Sequence, residues 1–243
     1  MLEIFRKELR VFFSSLIGYF VIGVFVLLLG LMLWVFPDFS ILEYNSASLD
    51  QLFFTAPLIF LFLIPAITMR SFSEELQNGT MELLITKPIS YTDIVLGKYF
   101  ACLVLVIIAL FPSLIYYFSI YQLASPIGNV DHGAIIGSYI GLLLLSGAYV
   151  SIGLFCSSLT KNQIVAFLIG VVLCFLLFYS FFYFSKLSIF FGKTDDLIQR
   201  IGMQHHYESI SRGLIDTRDI IYFFSLIFFF IWLSILNLQS RIL

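Results

Sequence analysis

Six long stretches of this chain contain no Asp, Glu, Lys, Arg or His: Leu16–Phe36, Leu52–Met69, Tyr99–Tyr121, Ala134–Leu159, Gln163–Phe184 and Ile221–Leu238. Each is close to the ~20 apolar residues with which a helix crosses the ~30 Å hydrocarbon core of a bilayer. In lipid, backbone hydrogen bonds must be satisfied within a helix or a closed barrel. The segregation therefore predicts an all-α integral membrane protein, a single domain of about six transmembrane helices over residues 1–243. All the charged side chains, 13 basic and 15 acidic, fall in tails and loops. With 60% apolar and only 12% charged residues, against ~25% charged in a soluble domain, little water-facing surface is left.

Orientation follows from Lys and Arg near the span ends. The N-terminal tail carries Arg6, Lys7 and Arg10, the second loop Arg70, Lys87 and Lys98, the fourth Lys161, and the C-terminal tail Arg241. Loops 37–51 and 122–133 have no Lys or Arg. Both termini are expected in the cytoplasm of a bacterial inner membrane. The fifth loop, 185–220, runs against the bias with Lys186, Lys193, Arg200, Arg212 and Arg218. It is longer and also carries Asp195, Asp196, Glu208, Asp216 and Asp219, so it weighs less. No basic face exists for a nucleic acid.

In the first thirteen residues Leu2, Phe5, Leu9 and Phe12 recur at helical spacing, with Glu3, Arg6, Lys7 and Arg10 on other faces. This predicts an amphipathic helix over 1–13 lying in the headgroup plane. With no small-residue cleavage motif behind it, a retained first helix is expected rather than a signal peptide. Gly133, Gly137, Gly141 and Gly147, followed by Ser151, form a stripe of small residues along span four that lets another helix approach closely. Phe178, Tyr179 and Phe181–Phe184 suit an interfacial aromatic belt, and Pro57, Pro65 and Pro112 are expected to kink their spans. Cys102, Cys156 and Cys174 lie in apolar runs without a CxxC pair and read as packing.

The loop between spans two and three, RSFSEELQNGTMELLITKPISYTDIVLGK over 70–98, is too polar to be buried and too patterned for a linker. Ser73 reads as the cap of a short helix that Gly79 stops, Thr80 as the cap of a second, Met81–Thr86, which Pro88 breaks, and Ser90-x-x-Asp93 as a capping box into span three. The expected result is a rigid helical pair projecting from the membrane.

Arg70, Phe72, Glu75, Gly79, Thr80, Glu82, Leu83, Leu84, Pro88, Ser90, Gly97 and Lys98 carry a pattern that resembles the ABC-2 type permease family. The amphipathic start, the six spans and the long fifth loop extend the resemblance over nearly the whole chain, and Glu208–Tyr222 resembles the gliding-motility-associated permease subunit. The resemblance implies a type V exporter-like permease fold. In it residues 70–98 form a coupling loop that docks on a cytoplasmic ABC ATPase, with Arg70, Phe72, Glu74, Glu75, Gly79, Thr80, Glu82 and Leu83 at or beside the contact. It also implies a second permease subunit, identical or different, with the transport path between the two in the lipid bilayer. The fifth loop would hold short re-entrant helices on the outer side.

An ATP-driven machine needs a P-loop. Gly192-Lys193-Thr194 matches only its end, with Leu187 where Gly is required, so the ATPase must be a separate chain. No intramembrane charge suggests an ion-coupled carrier. The candidate groups for an intramembrane enzyme are His132, His205 and His206, which read instead as headgroup- or solvent-facing, and no HExxH motif or catalytic serine elbow appears. Asn78-Gly79-Thr80 matches a glycosylation sequon on the cytoplasmic side, a coincidence. The expectation is a permease without catalytic, metal or cofactor residues that exports a lipid-like, polysaccharide or amphipathic substrate. The same loop would also serve a subunit that turns ATPase movement into mechanical or regulatory work.

Overall fold

A computed structural model describes residues 1–41, 48–86, 89–187 and 195–240; the expectations placed on Lys87, Pro88, Gly192–Thr194 and Arg241 lie outside them. The described residues are mostly helical, with no strand among them. Five helices are long and apolar enough to cross a membrane, and a sixth span forms if Leu2–Ser14 and Gly18–Trp34 are counted together across a 69° bend.

The order begins with α1 (Leu2–Ser14) and α2 (Leu16–Trp34). Span two is α3 (Asp50–Thr68), which runs on through Met69 into α4 (Arg70–Gln77), giving 28 residues of helix. A short α5 (Thr80–Ile85) follows. Span three begins well before its apolar stretch, as α6 (Tyr91–Leu110), and continues past a 3-10 turn at Phe111–Ser113 as α7 (Leu114–Leu123). Pro112 sits in that turn, where its missing N–H removes a rung of the α ladder. Pro57 and Pro65 lie within α3, which stays continuous. Span four is α8 (His132–Leu159). Span five is α9 (Gln163–Phe175), a π-helical turn at Leu176–Ser180, and α10 (Phe181–Ser185). Two short helices, α11 (Asp195–Gln199) and α12 (Met203–Ser211), precede the last span, α13 (Thr217–Ser240).

The bundle is built around α8, on which α3, α6, α9, α12 and α13 all pack. Without a hydrophobic drive between helices in lipid, close approach decides who sits at the centre, and small residues permit it. At Gly153 a Cβ would lie 2.0 Å from Thr68 Oγ1 and 2.9 Å from Thr68 Cβ, so α3 and α8 meet there only because the side chain is missing. The most apolar stretches of α3 and α8 are 72% and 78% buried, against 22% for span five and 28% for α13, which leaves the last two facing outward.

The glycine stripe divides in two. A Cβ on Gly137 would meet Gly213 Cα at 3.0 Å, and one on Gly141 would meet Ile210 Cγ2 at 3.0 Å, so the approaching element at these positions is α12 and the turn after it. Gly147 instead faces Tyr99 Oη of α6 at 2.9 Å, while at Gly133 a Cβ would meet only Asp131 Oδ1, at an ordinary 3.4 Å. Ser138 Oγ reinforces the α8–α12 contact by donating to Ser211 O at 2.7 Å.

Candidate functional site

At the end of the bundle that holds α1, α4 and the C-terminal turn of α13, four charged side chains from three helices converge. Lys98, on α6, is 1% exposed. Its Nζ donates to Glu8 Oε1 of α1 at 2.8 Å and to Ser71 O of α4 at 2.7 Å. It also makes an ion-pair contact with Glu75 Oε2 of α4 at 3.0 Å. An ammonium has three hydrogens to place; two meet acceptors on neighbouring helices, and Glu75 Oε2 contributes by charge without an aligned hydrogen bond. Lys7 closes the set, donating to Glu75 Oε1 at 2.8 Å and lying 3.5 Å from Glu8 Oε1. Half-buried, Lys7 loses solvation, which lowers its pKa, but the hydrogen bond and charge of Glu75 with the charge of Glu8 outweigh this and raise it above the ordinary lysine value.

Buried charges are tolerated only when paired and hydrogen-bonded, so this network fixes α1, α4 and α6 against one another. Arg70 adds a cation–π contact, its guanidinium 4.5 Å over the Phe12 ring. Phe72, fully buried, lies with its ring 5.2 Å from Lys98 Nζ. Ser157 of α8 braces the α3–α4 junction: its hydroxyl accepts from Phe72 N at 2.9 Å and Ser73 N at 3.1 Å, and donates to Met69 O at 2.7 Å. It substitutes for helix-ladder acceptors where the two helices join.

Beyond this anchor the chain turns outward. Glu74, Gln77, Asn78, Gly79, Thr80 and Glu82 are exposed. Gly79 has φ +71, the left-handed conformation that glycine adopts freely, and it is both the stop of α4 and the residue before the first turn of α5. The projecting tip is polar and acidic. A groove of about 400 Å³ lies beside it, lined by Lys7, Glu8, Arg70, Glu74, Glu75 and Thr80 among others.

The helical pair in the loop is present, with two differences. Ser73 does not cap α4: the helix runs in unbroken from the membrane, and Ser73 Oγ donates back to Met69 O. Thr80 is the first residue of α5 rather than its cap, its hydroxyl donating to Glu75 O at 3.4 Å. Ser90 caps α6 as the spacing implied, accepting from Asp93 N at 3.2 Å. Of the residues assigned to a partner contact, Glu74, Gly79, Thr80 and Glu82 share the exposed tip, while Phe72 and Glu75 point inward and Arg70 packs on Phe12. Leu83 lies in α5.

The network itself escaped the sequence reading. Leu2, one of the four residues taken as the apolar stripe of α1, is 62% exposed, and the buried line is Ile4–Glu8–Phe12. The signal was there: an acid at the middle of an i, i+4, i+8 row with apolar residues on both sides. Of the histidines expected to face solvent or headgroups, His132 is exposed, its Nδ1 2.9 Å from Tyr117 Oη, whereas His206 is drawn in between Asp219 and the carbonyl of Arg200. No group of three His, Cys, Asp or Glu converges as a metal site requires among the described residues.

A family model described as ABC-2 family transporter protein matches residues 2–238. The chain belongs to the ABC-2 transporter family. An ABC-2 permease is a multi-pass membrane subunit of an ABC transporter, generally working with an ABC ATPase and typically without an ATPase site of its own. Among curated proteins, none matches this ABC-2 permease.

Proposed function

We propose that this ABC-2 permease is the membrane half of an ATP-driven exporter of the bacterial inner membrane, with both termini in the cytoplasm and a separate ATPase docking on the Glu74–Glu82 tip. The observation that carries the reading is the continuity of α3 into α4, together with the buried Lys98 network that anchors α4 to α1 and α6. A tip held so rigidly passes an applied displacement to spans two and three together, where a flexible loop would absorb it. The ATP-bound partner would favour one arrangement of these spans and hydrolysis would release it.

The second permease subunit would pack against α3. Phe54, Leu58 and Phe62 recur at i, i+4, i+8 and are all exposed on a helix otherwise among the most buried. The outward-facing side chains of α9, such as Ile164, Leu168 and Val172, suit lipid. Residues 185–220 then lie on the outer side, above the path. A lipid-like, polysaccharide or amphipathic cargo suits spans this apolar. The finer assignment to a gliding-motility-associated subunit rests on the resemblance of residues 208–222.

The test is co-purification of the chain in detergent with its cognate ABC ATPase, comparing wild type with Glu74→Lys/Glu82→Lys. Both substitutions are on exposed positions, so folding is spared. Loss of the ATPase from the correctly inserted variant supports the docking site. Undiminished binding by that variant would move the contact elsewhere, and no ATPase on wild type would overturn the reading.

A further inference from the structure

The end of α3 remote from the Lys98 network opens on a cleft of about 710 Å³, a volume in the range of small-molecule pockets. Three elements wall it: the first turns of α3, one face of α12, and the π-helical turn of span five, which supplies Phe178 and Tyr179. Along α3 the lining changes in order, from Asp50 and Gln51 to Phe53 and Phe54 and then Pro57. At 1.5 Å per residue that passage covers about 10 Å. Charge lies at one end of it and apolar surface at the other, the profile of an amphiphile whose head sits at the start of α3.

The charges have one dominant sign. Asp38, Asp50 and Glu208 line the cleft against a single base, Arg212, among the described residues. Arg212 lies 3.9 Å from Glu208 and offsets one acid, so three acids less one base leave an excess of two carboxylates. An anionic head meets that excess as repulsion.

Hydrogen bonding points the same way. Three donors of the lining are spent inside the protein: Tyr207 Oη on Phe53 O at 2.6 Å, Ser211 Oγ on Glu208 O at 3.0 Å, and Gln204 Nε2 on Glu208 Oε1 at 2.7 Å. The carboxylate fixes which end of the Gln204 amide is nitrogen, because two acceptors do not face each other at that distance. That leaves Gln204 Oε1, which is buried and has no hydrogen-bond partner among the described residues. A buried acceptor left unmade is costly, and it calls for a donor. Gln51 and Tyr179 can serve either role, but an ammonium brings donors alone. The rings of Phe54, 70% exposed, and Tyr179 add π surface that attracts a cation.

We propose that this cleft binds a cationic amphiphile, its ammonium held by Asp50, Glu208 and Gln204 and its apolar body laid over Phe54 and Tyr179 toward Pro57. The inference deepens the export reading by selecting one cargo class from those named there, and it rests on that reading only in calling the ligand cargo. Phe54 also belongs to the stripe assigned to the second subunit, so the cleft would open beside the path between the two.

The test follows the fluorescence of three dansyl probes on the full chain in phosphatidylcholine nanodiscs, with empty discs subtracted. Dansylcadaverine carries an ammonium, its N-acetyl derivative no charge, and N-dansyl-6-aminohexanoate a carboxylate on a similar body. Wild type should bind dansylcadaverine saturably and about tenfold more tightly than the acetyl derivative, the worth of one charge-assisted hydrogen bond, and the carboxylate more weakly still. Asp50→Asn/Glu208→Gln should remove that preference, while Asp195→Asn, an acid of α11 outside the cleft, keeps it. Competition by phosphatidylethanolamine added to the disc assigns the ammonium to a lipid head, and no competition assigns it to a soluble amphiphile; both support the site. Equal binding of the three probes overturns the proposal, as do preference for the carboxylate, an unaltered preference in the double variant, and no saturable binding. The probe series on wild type needs no variant to fold. None of these results bears on ATPase co-purification, which tests the export reading separately.

Discussion

Replacing Lys98 by Met keeps the length and apolar stem of the side chain and removes only its charge. Glu8 then loses a partner at 2.8 Å and retains Lys7 at 3.5 Å, while Glu75 keeps Lys7 at 2.8 Å. One half-exposed ammonium is left to serve two buried carboxylates. Removing one partner of a buried ion pair costs about 3–5 kcal/mol, and the surviving Lys7 places the loss near the lower bound, about 3 kcal/mol. For a chain of this size that is a fall of roughly 6–12 °C in Tm, read by circular dichroism during thermal unfolding in detergent. Adding Glu8→Leu leaves the Lys7–Glu75 pair whole and removes the stranded charge, so most of the loss should return, since apolar replacement of a buried pair is often neutral or better. A Lys98→Met variant within about 1 kcal/mol of wild type would show that the network is not holding the three helices. So would a double variant no more stable than the single one.

Gly153→Ala forces a methyl against Thr68 and is expected to lower stability by about 1–3 kcal/mol, whereas Gly133→Ala, which meets nothing closer than Asp131 Oδ1 at 3.4 Å, is expected to be silent; the same thermal assay separates them. Ser157→Ala leaves the amides of Phe72 and Ser73 without their acceptor and is expected to cost about 1–3 kcal/mol and to raise hydrogen exchange at the α3–α4 junction. Gly79→Val places a β-branched residue at φ +71 and should weaken ATPase co-purification while thermal stability falls by about 1–2 kcal/mol. Because Lys7 is raised in the folded state, its pairing stabilises fully below the ordinary lysine value and is lost as pH climbs through the raised one. Lys7→Gln should therefore flatten the alkaline end of the stability profile.

What the sequence disclosed and what it hid have a common cause. The apolar stretches locate the five helices long and apolar enough to cross a membrane, and α2 beside them, because ionised side chains are costly in lipid and stay out of such runs. The same rule says nothing of polar helix that continues beyond the membrane. Thus span two stops at Met69 in the hydropathy pattern but runs as helix to Gln77, and span three begins at Tyr91, before its first apolar run. Glu8, Lys98 and Ser157 were invisible for another reason. Each owes its role to a partner between 27 and 90 positions away, and helical periodicity reaches only about two turns. His206 likewise needed Asp219, on another helix, to be drawn inward.

The bond from Tyr207 Oη to Phe53 O, at 2.6 Å, gives the long run of span two a further meaning. The 28 helical residues from Asp50 to Gln77 rise about 40 Å at 1.5 Å each, and they touch the acidic tip at one end and α12 at the other. Such a rod is a lever. A tilt of about 5° at its lower end swings its upper end by roughly 3–4 Å over that length, more than the reach of the hydrogen bond that joins it to Tyr207. An ATPase docked on the tip as proposed would push at one end of this helix, and the cleft wall at the other end would follow or let go.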